Sequence, residues 1–236
     1  GGGSLSSWLY VISPSGTLSV MSNRIVNRIR KLLALANDQQ GTPEGDASLS
    51  RAMEMMAQYG INRDDVEDEP VDTTLDVTVI DISNYKYAKQ QHILINRIAS
   101  ALNCYTVGKQ PYGKGSVTEI HVFGRAVDRE RVVMLFSVAS PAMIASSVTA
   151  VPSGTYRIRL RRLSHMLGYS SAIADSLKNH ETTVREEHGD SREVMLADST
   201  NAEMLARKNF PRLSKVSRSR YSPQDYENGY QEGSRF

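Results

Sequence analysis

Two short motifs come close to known chemical sites, and the first is a phosphate-binding loop. Residues 108–114 have its spacing, G-x-x-x-x-G-K. The next residue is Gly115, where such a loop needs a hydroxyl for magnesium, and residues 117–122 alternate as a strand instead of opening a helix. The pattern therefore favours a hairpin turn, from which Lys109 and Lys114 could still contact a polyanion.

The second motif begins at His180 and resembles the H-E-x-x-H helix of zinc proteases. Val184 stands where the second histidine is required, and a valine side chain cannot bind metal. Glu187 and His188 follow closely, so a two-ligand surface site in a metal-dependent hydrolase remains an alternative to a solvated helix face. Local sequence marks no nucleophile elbow and no Ser-His-Asp set. We therefore lean against an enzyme and predict no catalytic residue, cofactor or metal.

Basic residues concentrate towards the end of the chain. Residues 207–221 contain six arginines and lysines and no acid, and residues 157–162 form a second basic cluster. Such groups bind phosphates and release counterions, which is typical of nucleic-acid contacts. The alternative is a solvated face, balanced by acidic residues elsewhere. The predicted nucleic-acid-binding residues are Lys109, Lys114, Lys208, Arg212, Lys215, Arg218 and Arg220.

Overall composition is that of an ordinary globular protein. The chain has 236 residues, of which 40% are apolar and 23% charged, and its net charge is +2. No global field therefore demands a polyanionic partner, and any electrostatic function must come from local clusters. Cys104 is the one cysteine, which excludes an internal disulfide and suits the reducing cytoplasm. Its apolar setting predicts a buried small residue rather than a nucleophile.

One uncharged segment is long enough to cross a bilayer. It runs over residues 132–151, but it contains Pro141 and several hydroxyl side chains and has no flanking aromatic belt. The pattern favours a buried helix that breaks near Pro141. We expect no membrane partner.

Hydrophobic periodicity and turn residues predict an α+β fold. An N-terminal two-helix hairpin is followed by a mixed domain with a small antiparallel sheet and several helices. The first helix covers residues 23–36, and the second starts at Thr42-Pro43 and ends at Gly60 as a C-cap. The predicted strands are 75–82, 104–107 and 117–123, and the later helices are 85–102, 126–140 with a continuation, 157–178, 190–209 and 223–236.

The same patterns divide the chain into four parts. Residues 1–20 are predicted to be a leader, tag or read-through segment before a natural start at Met21, although residues 8–20 could form a hairpin. Residues 21–63 form the helical pair, and residues 64–74 form an acidic linker. Residues 75–236 form the α+β domain.

The helical pair resembles the bacterial domain of unknown function 2786. The matching residues are 29–36, Glu44, Ala47, Ala52, Met56 and Tyr59-Gly60-Ile61. Gly45 departs from the pattern, which has alanine after the glutamate. The remainder is similar to a companion domain of unknown function found in actinobacterial and phage proteins. Its matching residues are 123–125, Asp128, 130–132, Leu135, Ser164, Gly168-Tyr169, Leu177, Tyr226, Gly229-Tyr230 and Gly233.

The resemblance implies a fold and a bacterial or phage setting, but no reaction. It also implies that His165, where the companion usually has an aromatic residue, packs rather than binds a ligand. Our leading hypothesis is a non-enzymatic protein that contacts nucleic acid or a nucleic-acid-associated protein. The alternatives are a protein–protein adaptor directed at a host factor and the metal-dependent hydrolase. No small-molecule ligand is inferred.

Overall fold

The computed structural model describes residues 11–12, 23–39, 42–66, 74–82, 86–111, 116–188, 192–213 and 220–235. These residues form a small antiparallel sheet and mostly helical surroundings, so the predicted α+β class is confirmed. The elements are β1 (Val11–Ile12), α1 (Asn23–Asp38), α2 (Pro43–Val66), β2 (Leu75–Asp81), α3 (Ala88–Ala101), β3 (Tyr105–Lys109), β4 (Glu119–Arg125), α4 (Ala126–Ala150), α5 (Ile158–His188), α6 (Arg192–Asn209) and α7 (Pro223–Gly233).

The sheet has the strand order β1-β2-β4-β3, and every pairing is antiparallel. Strands β2, β3 and β4 are the three predicted strands. Side chains alternate along them, so Ile80, Ile120 and Val122 enter the main core from one face. The other face carries Val107 and Phe123, which pack against α6. Both faces of the sheet are therefore covered.

The helical pair packs through buried residues of α1 and α2, among them Ile29 and Met53. The predicted start of the second helix, α2, is confirmed. The Gly45 N–H donates to the Thr42 hydroxyl at 3.1 Å, and Pro43 is the first helical residue. The predicted end at Gly60 is wrong, because α2 continues to Val66. Glycine inside a helix costs only about 1 kcal/mol, so it does not by itself stop one.

Helix α2 therefore takes in the first residues of the predicted acidic linker, and residues 67–73 of that linker lie outside the described residues. Of the possible hairpin at residues 8–20, only Val11 and Ile12 are described, and they pair with Ile80 and Val79 of β2. The proposed domain boundaries stay a prediction.

Helix α4 runs without interruption through Pro141, so the predicted break is wrong. The proline ring lies on the exposed side, while Phe136 and Met143 are buried before and after it. Burial of large apolar side chains on both sides offsets the helix-breaking cost of about 3 kcal/mol. By length and composition α4 could cross a membrane, yet half of its most apolar stretch is buried inside the protein.

Helices α5 and α7 approach each other unusually closely. Helix α5 is ten residues longer at its C-terminal end than predicted, reaching His188, and α7 lies along it. A Cβ atom on Gly168 would overlap the carbonyl oxygen of Tyr226, and one on Gly229 would overlap that of His165. Only glycine permits this separation of the two backbones.

We expect Gly229→Ala to lower the free energy of unfolding by at least about 1–3 kcal/mol, because the added methyl group meets rigid backbone rather than a movable side chain. Urea unfolding measures the change. Glu227→Ala is the matched control on an exposed face of α7, and it should change stability by less than about 0.5 kcal/mol. Equal stability of the two variants would contradict the close approach.

Candidate functional site

The start of α5 lies beside the segment that leads into α7. The Arg161 Nε donates to both carboxylate oxygens of Asp225 at 3.0 Å, joining residues 64 positions apart. The Ser222 N–H donates to the Ser164 hydroxyl at 2.8 Å. These contacts bring the basic cluster at residues 157–162 next to Arg220, near the end of the basic cluster at residues 207–221.

This junction exposes two aromatic rings among arginines. Tyr156 is 78% exposed and Tyr221 is 53% exposed, which is high for large apolar rings. Arg157, Arg159 and Arg220 are also exposed, and the Arg157 guanidinium lies 5.2 Å from the centre of the Tyr156 ring. We call these five residues the basic–aromatic patch.

Three features indicate that nearby acidic groups do not neutralise the positive charge of the patch. The Asp225 carboxylate is already bound by Arg161: burial raises the pKa of Asp225, but hydrogen bonds from Arg161 and Ser222 outweigh it and hold that pKa below its ordinary value. Neither Arg157 nor Arg220 forms an ion pair with another described residue. The chain also has no acidic residue between positions 131 and 174.

Arg157 adopts a left-handed backbone conformation, with φ of 53°. This conformation costs a non-glycine residue about 1 kcal/mol or more, and such residues concentrate at functional sites. Here it places Arg157 immediately before α5, with its side chain against Tyr156.

Of the other predicted nucleic-acid-binding residues, the structure describes Lys109, Lys208 and Arg212. Lys109 forms an ion pair with Glu119 at 3.1 Å, and its hydrogen bond lowers the pKa of that carboxyl. His121 connects this pair to the end of α6, because its ring lies 4.9 Å from that of Phe210. Lys208 and Arg212 are exposed near this end, and Lys114, Lys215 and Arg218 lie outside the described residues.

Sequence reasoning missed Tyr156 and did not place Arg157, Arg159 and Arg220 together. The available signal was the adjacency of a tyrosine to each basic cluster: Tyr156 precedes Arg157, and Tyr221 follows Arg220. The two basic clusters come together through the Arg161–Asp225 contact, and no local sequence pattern predicts a contact between residues so far apart.

The residues of the hydrolase alternative do not form a described site. His180 is half-buried on α5, whereas Glu181 beside it is buried in an ion pair with Arg131. The side chains of Glu187 and His188 lie outside the description. In the described part of the chain, no three His, Cys, Asp or Glu side chains are arranged to hold a metal ion.

Arg131 is the centre of a buried ionic network. It is 1% exposed and contacts Glu181 of α5 and, at 3.1 Å, Asp128 of its own helix; Arg125 also binds Asp128, at 3.2 Å. Burial lowers the pKa of Arg131, but the charges of Glu181 and Asp128 outweigh it and raise that pKa. The network joins α4 to α5, so these charges stabilise the fold.

Nearby Cys104 is buried as predicted, and burial raises its pKa well above the ordinary value.

A cleft of about 540 Å³ lies among the helical pair, α4, α5 and α7. His165 lines it and is fully buried. Its Nε2 lies 2.8 Å from the Ser146 hydroxyl, and its Nδ1 has no hydrogen-bond partner among the described residues. Burial lowers the pKa of His165.

Residues 24–63 match the model of a family described as protein of unknown function (DUF2786). The helical pair is therefore similar to DUF2786 over these residues. The match covers α1 and most of α2, and the resemblance noted from the sequence is confirmed there. No curated protein and no solved structure matches the chain.

The companion domain stays a prediction, but the residues that suggested it have clear structural roles. Gly168 and Gly229 form the close contact between α5 and α7, and Arg131 forms the buried network. Gly45, the departure from the DUF2786 pattern, lies so close to Gln39 that a Cβ atom would overlap the Gln39 carbonyl oxygen.

We expect Arg131→Met to lower the free energy of unfolding by about 3–5 kcal/mol, because it removes the shared cation from two buried carboxylates. Combining it with Glu181→Leu should recover part of that loss, since one of those carboxylates is then also gone. Urea unfolding near neutral pH measures both variants. A double variant as unstable as the single one would contradict the role of this pair.

Burial lowers the pKa of His165, so the folded state resists protonation more than the unfolded chain does. The free energy of unfolding should therefore fall as pH drops below the unfolded-state pKa of about 6.5. We expect His165→Gln to weaken this dependence when unfolding is followed across that range. His180→Gln, at a partly exposed position on the same helix, should keep the dependence of the unmodified chain. Identical profiles for both variants would contradict the assignment.

Proposed function

We propose that the protein binds single-stranded nucleic acid through the basic–aromatic patch. The observation that carries the proposal is the joining of two basic clusters by the Arg161–Asp225 and Ser222–Ser164 contacts, with two exposed tyrosines at the junction. Proteins that bind single strands combine cations that track the phosphates with aromatic rings on which bases stack.

Each part of the patch has a distinct expected contribution. The guanidinium groups of Arg157, Arg159 and Arg220 bind phosphates and release counterions, which makes affinity depend on salt. The rings of Tyr156 and Tyr221 supply flat apolar surface for bases, largely independent of sequence. Arg157 already lies against the Tyr156 ring, so the cation and the stacking surface are held together before a strand arrives.

A solvated basic face is the main alternative to binding. Solvation alone does not require two large rings to be exposed beside the arginines. It also does not require Arg157 to adopt a left-handed backbone conformation. The patch is therefore better explained as a contact surface.

Fluorescence anisotropy with the full chain and a labelled oligothymidylate of about 16 nucleotides tests the proposal across about 50–200 mM salt. We expect binding that weakens with salt. Replacing Arg157, Arg159 and Arg220 together with alanine should reduce the slope of log affinity against log salt by about 2, because each phosphate contact on a single strand contributes about 0.7.

Replacing Tyr156 and Tyr221 with alanine should weaken binding by about 1–3 kcal/mol per stacked base and leave the salt slope nearly unchanged. The matched control replaces Arg51, Arg207 and Arg235 with alanine. These three arginines are exposed and each is paired with a glutamate three or four residues away, so the change in net charge is the same. Absence of binding at low salt, or an equal loss of slope in this control, would overturn the proposal.

A further inference from the structure

We propose that the cleft among the helical pair, α4, α5 and α7 binds an organic ammonium ion that carries an apolar body. This site is separate from the basic–aromatic patch and does not depend on nucleic-acid binding. It rests on the shape of the cleft, the sign of its charge and an unmet hydrogen-bonding group in its wall.

The cleft has the size and lining of a small-molecule site. Its volume of about 540 Å³ is within the usual range of about 300–1,000 Å³ for such pockets. One part of its wall is apolar, and its members are Ala36, Leu49, Val138, Ala142 and Ala145. Polar groups occur at defined places among them, which is the usual means of orienting a ligand.

The charged residues of the cleft give it a negative balance. Asp46, Glu232 and Arg235 line it, and Arg235 lies 3.1 Å from Glu232, so these two charges largely cancel. Asp46 forms no ion pair with a described residue. His165 adds no compensating charge at neutral pH, because burial favours its uncharged form. The cleft therefore attracts a cation.

His165 supplies the second, independent observation. Its side chain is fully buried, it lines the cleft, and its Nδ1 has no partner in the described part of the protein. Buried polar atoms without a partner are uncommon because leaving them unpaired is costly. An ammonium N–H that donates to Nδ1 would complete the pairing and place the ring proton on Nε2, which then donates to the Ser146 hydroxyl at 2.8 Å.

The negative charge of Asp46 and the unpartnered Nδ1 of His165 both favour an ammonium group over a carboxylate of the same shape. A carboxylate would be repelled by Asp46, whereas an ammonium gains from that charge and from the uncharged imidazole. Apolar groups on the ligand would cover Leu49 of α2 and Ala145 of α4, so one molecule would bridge the helical pair and the rest of the protein.

The matched probes are 4-phenylbutylammonium and 4-phenylbutyrate, titrated into the full chain by calorimetry at neutral pH and low salt. We expect the cation to bind and the anion to bind at least about tenfold more weakly. Asp46→Asn should weaken binding of the cation by about tenfold, whereas Glu186→Gln, at an exposed carboxylate of α5 outside the cleft, should leave it unchanged.

A second pair of variants tests the position of the ligand. Ala145→Leu adds bulk from an exposed position on the cleft wall and should abolish binding, whereas Val148→Leu on the same helix lies outside the lining and should not. Equal affinity for the two probes, no binding of the cation, or equal effects of Ala145→Leu and Val148→Leu would overturn the proposal.

Discussion

The close approach of α5 and α7 is the constraint on which the rest of the structure depends. Gly168 and Gly229 let the two backbones touch, and the Arg161–Asp225 pair fixes one end of the contact. The same helix pair exposes the basic–aromatic patch at that end and supplies His165 and Glu232 to the cleft. Both the basic–aromatic patch and the cleft therefore depend on the contact between α5 and α7. Neither is formed by the segment similar to DUF2786 alone.

Charges in this protein have two different uses, and burial separates them. Arg131 is enclosed with Asp128 and Glu181, where removal of one partner would leave the others uncompensated in a medium of low dielectric constant. Arg157 and Arg220 remain in solvent, where they can exchange counterions for phosphates. Charged residues that stand close together in the sequence therefore form a structural network in α4, and in our proposal they form a contact surface at the start of α5.

Periodicity predicted most of the elements because the core is built from regular apolar faces: Ile80 and Ile120 alternate along strands, and Ile29 and Leu33 recur along α1. It failed at Gly60 and Pro141, where the local preference of one residue is smaller than the packing and hydrogen bonding of a long helix. The sequence indicated both basic clusters, but not their junction or the cleft, because these depend on contacts between residues far apart in the chain.

Hydrogen exchange of the full chain, with and without a bound single-stranded oligonucleotide, tests whether the two basic segments form one binding surface. We expect protection to rise together in residues 156–162 and 220–226, because the α5–α7 contact holds both segments in one surface. Protection confined to one of these segments, protection of α1 with its exposed Arg24, Arg28, Arg30 and Lys31 instead, or no change on adding the oligonucleotide would contradict the proposal.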